Sequence, residues 1–479
     1  MSIRRYVANK DTTITNAYNT NLTTRATTAN MGASDILEVF SIYGQATTSS
    51  IEASRILVQF PVENIVSDRN NKKIGASGSV QFMLKLSNAV HGDSTPSDFS
   101  LLVSPVSSAW TEGSGLDMES YTDIGPANWL SASAIQSWAA QGGDFLSSSL
   151  FQQTFDTGLE DLQINITDLV ERWITGSVSN FGVGIRLTGS QESGTDSYYT
   201  KKFFARSSEF FYKRPWIEAQ TDDSFIDSRD NFIISSSLLD ANDNLNTLVL
   251  YNRVKGQLKN IPAVGTGSNL FVSLYDGITE PTGVALLLHN AQTKVQAGFY
   301  KTGIYTASVA INTTSSYLFD VWFSGSTAEN SSSLVFATGS VIYPQDYNAS
   351  FENQSADYVA TISNLKSSYA TNEQPRFKII IRDRDWSPNL YTIASNDLEN
   401  KVIDNLFYKV IRIQDSLEVV PYGTGSIKYT KTSYDKDGNY FDLNMDIFEK
   451  DYAYAIKLGY KFGDDFNELK EVFKFRVER

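Results

Sequence analysis

Apolar residues recur at every second position through most of this chain, and that period constrains the fold more than any other feature. SRILVQF (54–60) reads as a strand, and its neighbour SVQFMLKL (79–86) and FGVGIRL (181–187) alternate. Successive side chains of an extended strand point to opposite faces, so alternation marks strands with one buried face. Pro61 closes the first run, and the glycines of the third point to a bend or a close backbone approach. Strand patterns resume at 246–251, 269–275, 303–311 and 316–323, and again at 358–362, 375–381, 406–413, 440–445, 453–460 and 472–477. The pair GIYTASVAI and SYLFDVWF, joined by the four residues 312–315, reads as a predicted hairpin.

Helical periodicity is scarce. NITDLVERWI (165–174) is the best case: Leu169, Val170, Trp173 and Ile174 share one face. Asn165 or Thr167 can cap it, Asp168 suits the first turn, and Gly176 suits its end. A second short helix is predicted over 134–140, around Trp138. Aromatic content of 13%, from 25 Tyr and 28 Phe, agrees with a strand-rich chain. At roughly 150 residues per domain, 479 residues suggest about three domains.

The order of the elements adds a resemblance. The chain reads TTIT, NMGASDILEVFS, ASRILVQFPVENI, a further strand, WTEG (110–113), Trp129, INITDLVERWITG, NFGVGIRL, FFARSSE (203–209) and RPWIEA (214–219). This succession resembles the DNRLRE-type domain and covers about residues 5–219. The resemblance implies an N-terminal jelly-roll β-sandwich similar to carbohydrate-binding modules. Departures from the pattern are the long loops 87–100 and 114–129 and the extra residues 210–213. The acidic stretch TDDSFIDSRDNF (221–232) reads as a linker. The expected architecture is all-β: a jelly-roll domain over 1–220, an immunoglobulin-like β-sandwich over 221–345 and a C-terminal β-sandwich, also immunoglobulin-like, over 346–479.

Chemistry is sparse. With 0 Cys, disulfides and thiolate metal sites are excluded. The two histidines, His91 and His289, fall in different expected domains without HxxxH or HxH spacing. No GxGxxG, GxxxxGK[ST] or GxSxG motif occurs. Asp435-Lys436-Asp437-Gly438-Asn439 has oxygens at calcium-loop positions, but its Gly stands at position 4 rather than 6 and Asp446 takes the place of the last Glu. Its alternating flanks favour a tight hairpin. Glu112, beside Trp110, and the pair Asp383 and Asp385 read as structural rather than as a glycosidase pair. No enzyme, cofactor, metal or catalytic residue is expected. A net charge of −14, with no basic cluster, argues against nucleic acid. No apolar run is long enough to span a membrane. The first residues, MSIRRYVANKDTTITNAYNTN, lack an apolar core, so no signal peptide is expected.

Display-type sandwiches without an export signal fit a protein folded in a bacterial cytoplasm and released inside a virus particle. The stretch YTKTSYDKDGNYFDLNMDIFEKDYAYAIKLGYKF resembles segments of virion proteins of large tailed phages. The expected function is a structural or decorating virion component of head, neck or tail. Its expected partners are other virion proteins and further copies of itself in a symmetric assembly. The alternative is a receptor- or glycan-binding adhesin of the particle, with the N-terminal domain binding a host-surface glycan. A polysaccharide-degrading enzyme is a third reading and would need a carboxylate pair in a cleft.

Overall fold

The structure, a computed structural model, describes residues 3–44, 50–92, 95–328, 330–347, 357–387, 390, 400–463 and 465–478. Residues 93 and 94 of the 87–100 loop and several stretches of 346–479 lie outside the described residues. The chain is an all-β protein of packed sheets. It forms two compact units: Met1–Asp223 with Gly423–Tyr429 and Asp446–Glu449, and Ser224–Tyr422 with Thr430–Met445 and Lys450–Arg479.

The first unit is a β-sandwich. One sheet has the order Ile3–Val7, Trp216–Thr221, Val80–Leu86, Leu162–Asn165. The other runs Tyr198–Phe204, Ile36–Tyr43, Ile51–Gln59, Val183–Leu187, Phe99–Pro105, Phe151–Phe155, with Lys10–Thr15 also paired to Ile51–Gln59. Alternation does the packing: Val80, Phe82, Leu84 and Leu86 of the first sheet share a core with Leu37, Val39, Ile56, Val58, Leu101 and Val103 of the second. Gly184 shows why a glycine stands in its strand, since a Cβ there would lie 1.9 Å from the Phe145 ring.

The helix Thr167–Thr175 inserts Leu169, Val170 and Trp173 into this core. Asn165 Oδ1 accepts from the Thr167 backbone N–H and hydroxyl, while Thr167 Oγ1 accepts from the Phe82 N–H. The helix is thus hydrogen-bonded to the strand beneath it. Gly176 closes it in the left-handed conformation at φ 74°. A helix over Val62–Asn70, not expected from the sequence, contributes Val62 and Ile65 to the core. It pairs Arg69 with Glu171 of the other helix at 2.6 Å.

The helix expected over 134–140 is absent. Short paired strands, Ser131–Ser133 and Gln136–Ser137, take its place. A helix would bury Ile135 and Trp138 together as an i, i+3 pair, yet Ile135 is 98% exposed and Trp138 is buried. The Asp144 carboxylate accepts the N–H groups of Ala139 and Ala140 instead. Trp138 joins Trp110 and Trp129 over Ala53 and Leu57, forming a third layer on the outer face of the larger sheet.

The second unit contains four principal sheets. Asn246–Tyr251, Ile304–Val309 and Gly298–Lys301 form one, facing Val295–Gln296, Phe271–Asp276, Leu318–Ser324 and Leu334–Thr338 across a core that includes Tyr305, Val272 and Trp322. The other two are Tyr358–Ile362, Arg376–Asp383, Gly438–Asp442, Ser433–Asp435 and Ser368–Ala370, Asp465–Glu478, Ala453–Phe462, Leu406–Arg412, Glu418–Val420. Aromatic rings join this pair, with Tyr408 stacked on Phe441 at 4.1 Å.

Two expectations fail here. The strands Ile304–Val309 and Leu318–Ser324 do not form a hairpin; they lie in different sheets. Leu318–Ser324 is buried along its whole length, so its place is between two sheet neighbours, Phe271–Asp276 and Leu334–Thr338. The stretch 221–232 is not a solvated linker. Asp227, Ser228 and Arg229 are buried, and Phe232 is fully enclosed in the core.

Trp173→Ala is expected to destabilise the protein by about 3–5 kcal/mol, because the cavity would open at the sandwich core. Chemical unfolding of the variant measures it, and a loss below about 1 kcal/mol would contradict this packing.

Candidate functional site

The candidate centre of the first unit joins two of the quoted motifs. WTEG supplies Glu112, and FFARSSE supplies Arg206. Arg206 donates to both Glu112 carboxylate oxygens, at 3.0 and 2.8 Å. Glu112 Oε1 also accepts the Asp11 N–H, and Asp11 Oδ2 accepts the Arg206 N–H. Asn30, fully buried, donates to the carbonyls of Glu112 and Ala127 and so fixes the backbone of the WTEG turn. The Trp110 indole donates to the Phe181 carbonyl. Glu112 therefore sits in a fork-to-fork ion pair that ties loop to loop. Burial, reinforced by the Glu112 charge, pushes the Asp11 carboxyl up to about 7.

On the same unit, Glu218 is fully buried between Arg5 and Lys85, at 2.8 and 2.7 Å. Burial alone would raise its pKa, but the two cations outweigh it and hold the carboxyl down at about 2.

The second unit has a denser cluster. Arg229 donates to Asp227, to the Val249 carbonyl at 2.8 Å and to Asp320. The Trp322 indole also donates to Asp320. Asp227 is 1% exposed and Asp320 is 0% exposed, so two carboxylates share one guanidinium away from water. Burial, with the Asp320 charge adding to it, drives Asp227 up to about 7 against the pull of Arg229. The 224–232 segment is held from both sides: Ser228 N–H donates to Thr247 O, and Asp227 N–H donates to Tyr434 O.

Sequence reasoning passed over Arg206, Arg229 and Asp320. Asp320 carried a signal, a carboxylate inside the otherwise apolar run SYLFDVWF. Arg229 stood in a stretch whose acidity suggested solvent. Asp435 and Gly438 face each other across a two-residue turn, so the Asp-Gly segment is a hairpin. Asn439 donates to Ile403 O and Thr432 Oγ1, which commits it to the fold. Asp383 pairs with Lys401 at a strand end. His91 and His289 lie in different units. Among the described residues no group of three or more His, Cys, Asp or Glu could hold a metal ion, and no helix is long and apolar enough to cross a membrane.

No protein-family model and no curated protein matches the chain. Among solved structures, the adhesin InvE of Yersinia pseudotuberculosis is 11% identical with a TM-score of 0.16, covering 51% of this chain and 56% of that one. Trypsin-activated alpha-2-macroglobulin from Escherichia coli is 6% identical with a TM-score of 0.15, over 91% of this chain and 23% of that one. Salmonella alpha-2-macroglobulin reacted with methylamine is 6% identical with a TM-score of 0.15, over 99% of this chain and 26% of that one. The chain thus spans about half the length of the adhesin structure and about a quarter of each macroglobulin. At these TM-scores the likenesses carry no argument about fold or function.

The clusters make two outcomes testable. Arg229→Met leaves two carboxylates buried together and is expected to cost about 3–5 kcal/mol in urea unfolding; a cost near zero would show that the cluster is solvated. The pH dependence has a defined sign. Asp11 and Asp227 keep protons in the folded state that the unfolded chain releases near pH 4, so their contribution falls as pH rises from about 4 to about 7. Glu218 contributes above the ordinary Glu range and loses this as pH falls toward 2. The urea midpoint is therefore expected to be higher at pH 5 than at pH 8. A higher midpoint at pH 8 would contradict the assignments.

Proposed function

We propose that this chain is a structural or decorating component of a tailed-phage particle, assembled in the host cytoplasm and held by protein–protein contacts. In this reading residues 1–220 form a jelly roll of DNRLRE type, and 221–345 and 346–479 form two immunoglobulin-like sandwiches. The observation that carries it is the use made of charge. Glu112 with Arg206 ties loop to loop, Glu218 with Arg5 and Lys85 ties strand to strand, and Arg229 with its two carboxylates ties the 224–232 segment to the strand Leu318–Ser324. Such groups serve rigidity, which a particle component needs. The resemblance of the C-terminal stretch to phage virion segments points the same way.

The contact surfaces follow from sheet edges. Leu334–Thr338 is an edge strand, and Leu334 and Val335 on it are 57% and 50% exposed. An open edge with apolar side chains can accept a strand from another copy or another virion protein. Contacts that survive outside the cell call for large interfaces rather than small encounter patches.

Mass spectrometry of gradient-purified particles tests the reading. The chain is expected in intact particles at a fixed copy number. Its absence from them, with recovery only in the lysate supernatant, would overturn the structural role and favour a soluble glycan-binding protein.

A further inference from the structure

The first unit contains a lysine whose surroundings differ from those of every ion pair above. Lys201 lies in the edge strand Tyr198–Phe204 of the larger sheet and is 1% exposed. Its ammonium stands 5.1 Å from the Phe155 ring centre and 4.9 Å from that of Phe203. Nζ donates to Asn88 Oδ1, Gly158 O and Glu160 O, each at 2.7 Å. Asn88 follows the strand Val80–Leu86 of the smaller sheet. It is pinned by an N–H bond to Asp161 Oδ1 at 2.7 Å and by a bridge to Phe203. An amine and a carboxamide from opposite sheets thus meet in an aromatic, water-poor pocket. The pocket also feels the negative charge of Glu160 and Asp161. The Glu160 main-chain oxygen is the one that touches Nζ, its Oε1 accepts from Thr157, and its Oε2 is screened from solvent with no hydrogen-bond partner among the described residues.

We propose that Lys201 and Asn88 condense spontaneously into an intramolecular isopeptide bond, with Glu160 as the proton acceptor. Nζ attacks Cγ of Asn88, a Cγ–Nζ bond forms, and the Cγ–Nδ2 bond breaks. The leaving nitrogen departs as ammonia. Nζ gives up two protons in all, one as the ammonium becomes an amine and one after the attack. Glu160 relays them to the leaving nitrogen, the first making it ammonia and the second ammonium, so the chain releases one ammonium ion and needs no oxidant or cofactor. The Oδ1 contact polarises the carbonyl while it holds the amine beside the carbon. Burial supports the step, because it lowers the Lys201 pKa to about 8 and leaves a usable fraction of free amine. Partial burial would raise the Glu160 pKa, but hydrogen bonds from Thr157 and the charge of Lys201 bring it down to about 2, so the acceptor is ionised. The product staples the edge of one sheet to the end of a strand in the other. In a chain with 0 Cys this is a covalent brace that disulfide chemistry does not supply.

Intact-mass spectrometry of the full-length chain, unfolded after purification, decides the matter. The expected mass is lighter than the sequence mass by one ammonia, and a digest should yield one branched peptide joining Asn88 to Lys201. Asn88→Ala and Lys201→Met should each restore the full mass expected for the variant. Lys201→Arg keeps the positive charge and its donors but cannot condense in this way; it should stay folded and uncross-linked. Glu160→Gln should fold and accumulate the uncross-linked form. A folded wild-type chain that retains the full sequence mass after prolonged incubation, with Asn88 and Lys201 in separate peptides, would overturn the proposal. Lys201 would then be a hydrogen-bonded ammonium and nothing more.

Discussion

A charge taken out of water must be neutralised where it sits, and this constraint shapes both units. Arg229 is the sharpest case. One guanidinium faces Asp227 and Asp320, and two carboxylates with one cation leave an excess negative charge in an apolar interior. Desolvation then makes the proton on Asp227 part of the structure. The geometry orders a whole segment: residues 224–232 bond to Thr247 on one side and Tyr434 on the other, and Phe232 enters the core. The first unit solves the same problem differently. Glu218 has two cations and stays ionised, whereas Asp11 is hydrogen-bonded to backbone and shares its site with Glu112.

Sheet formation was legible because period two reports burial directly. Val80–Leu86 alternates buried and half-buried residues along its length, as SVQFMLKL announces. The Thr167–Thr175 helix was legible for the same reason at a different period. Failures came where a second layer or a partner overrode the local pattern. Ser131–Ser137 sends only Ala132 into the tryptophan layer and leaves 134–137 exposed, and Asp144 captures the N–H groups a helix would use. The Val62–Asn70 helix follows Pro61, which reads as a strand end, and its apolar contribution to the core is small: Val62 and Ile65, with Val66 packed against them at its margin. The pairing of Ile304–Val309 with Leu318–Ser324 looked like a hairpin because both alternate. Alternation assigns a face to each strand but does not say which sheet the strand joins.

The charged sites were less legible than the fold. Glu112 could be singled out beside Trp110, but its partner lies 94 residues away in sequence. Acidity at 221–232 suggested solvent, while the deciding feature was Arg229, whose carboxylate partner Asp320 is 91 residues distant. Ion pairs between distant segments leave no periodic signal. Asp320 alone gave a hint, because an unpaired charge in an apolar strand demands a counterion.

The functional account rests on rigidity: sandwiches braced by internal ion pairs, with open sheet edges left for neighbours. A reconstruction of intact particles by electron cryomicroscopy tests this most directly. The account requires density that fits this all-β chain at a symmetric position, with extensive contacts to other particle proteins. Particles whose density is fully assigned without this chain, together with binding of the purified protein to a host polysaccharide, would contradict it.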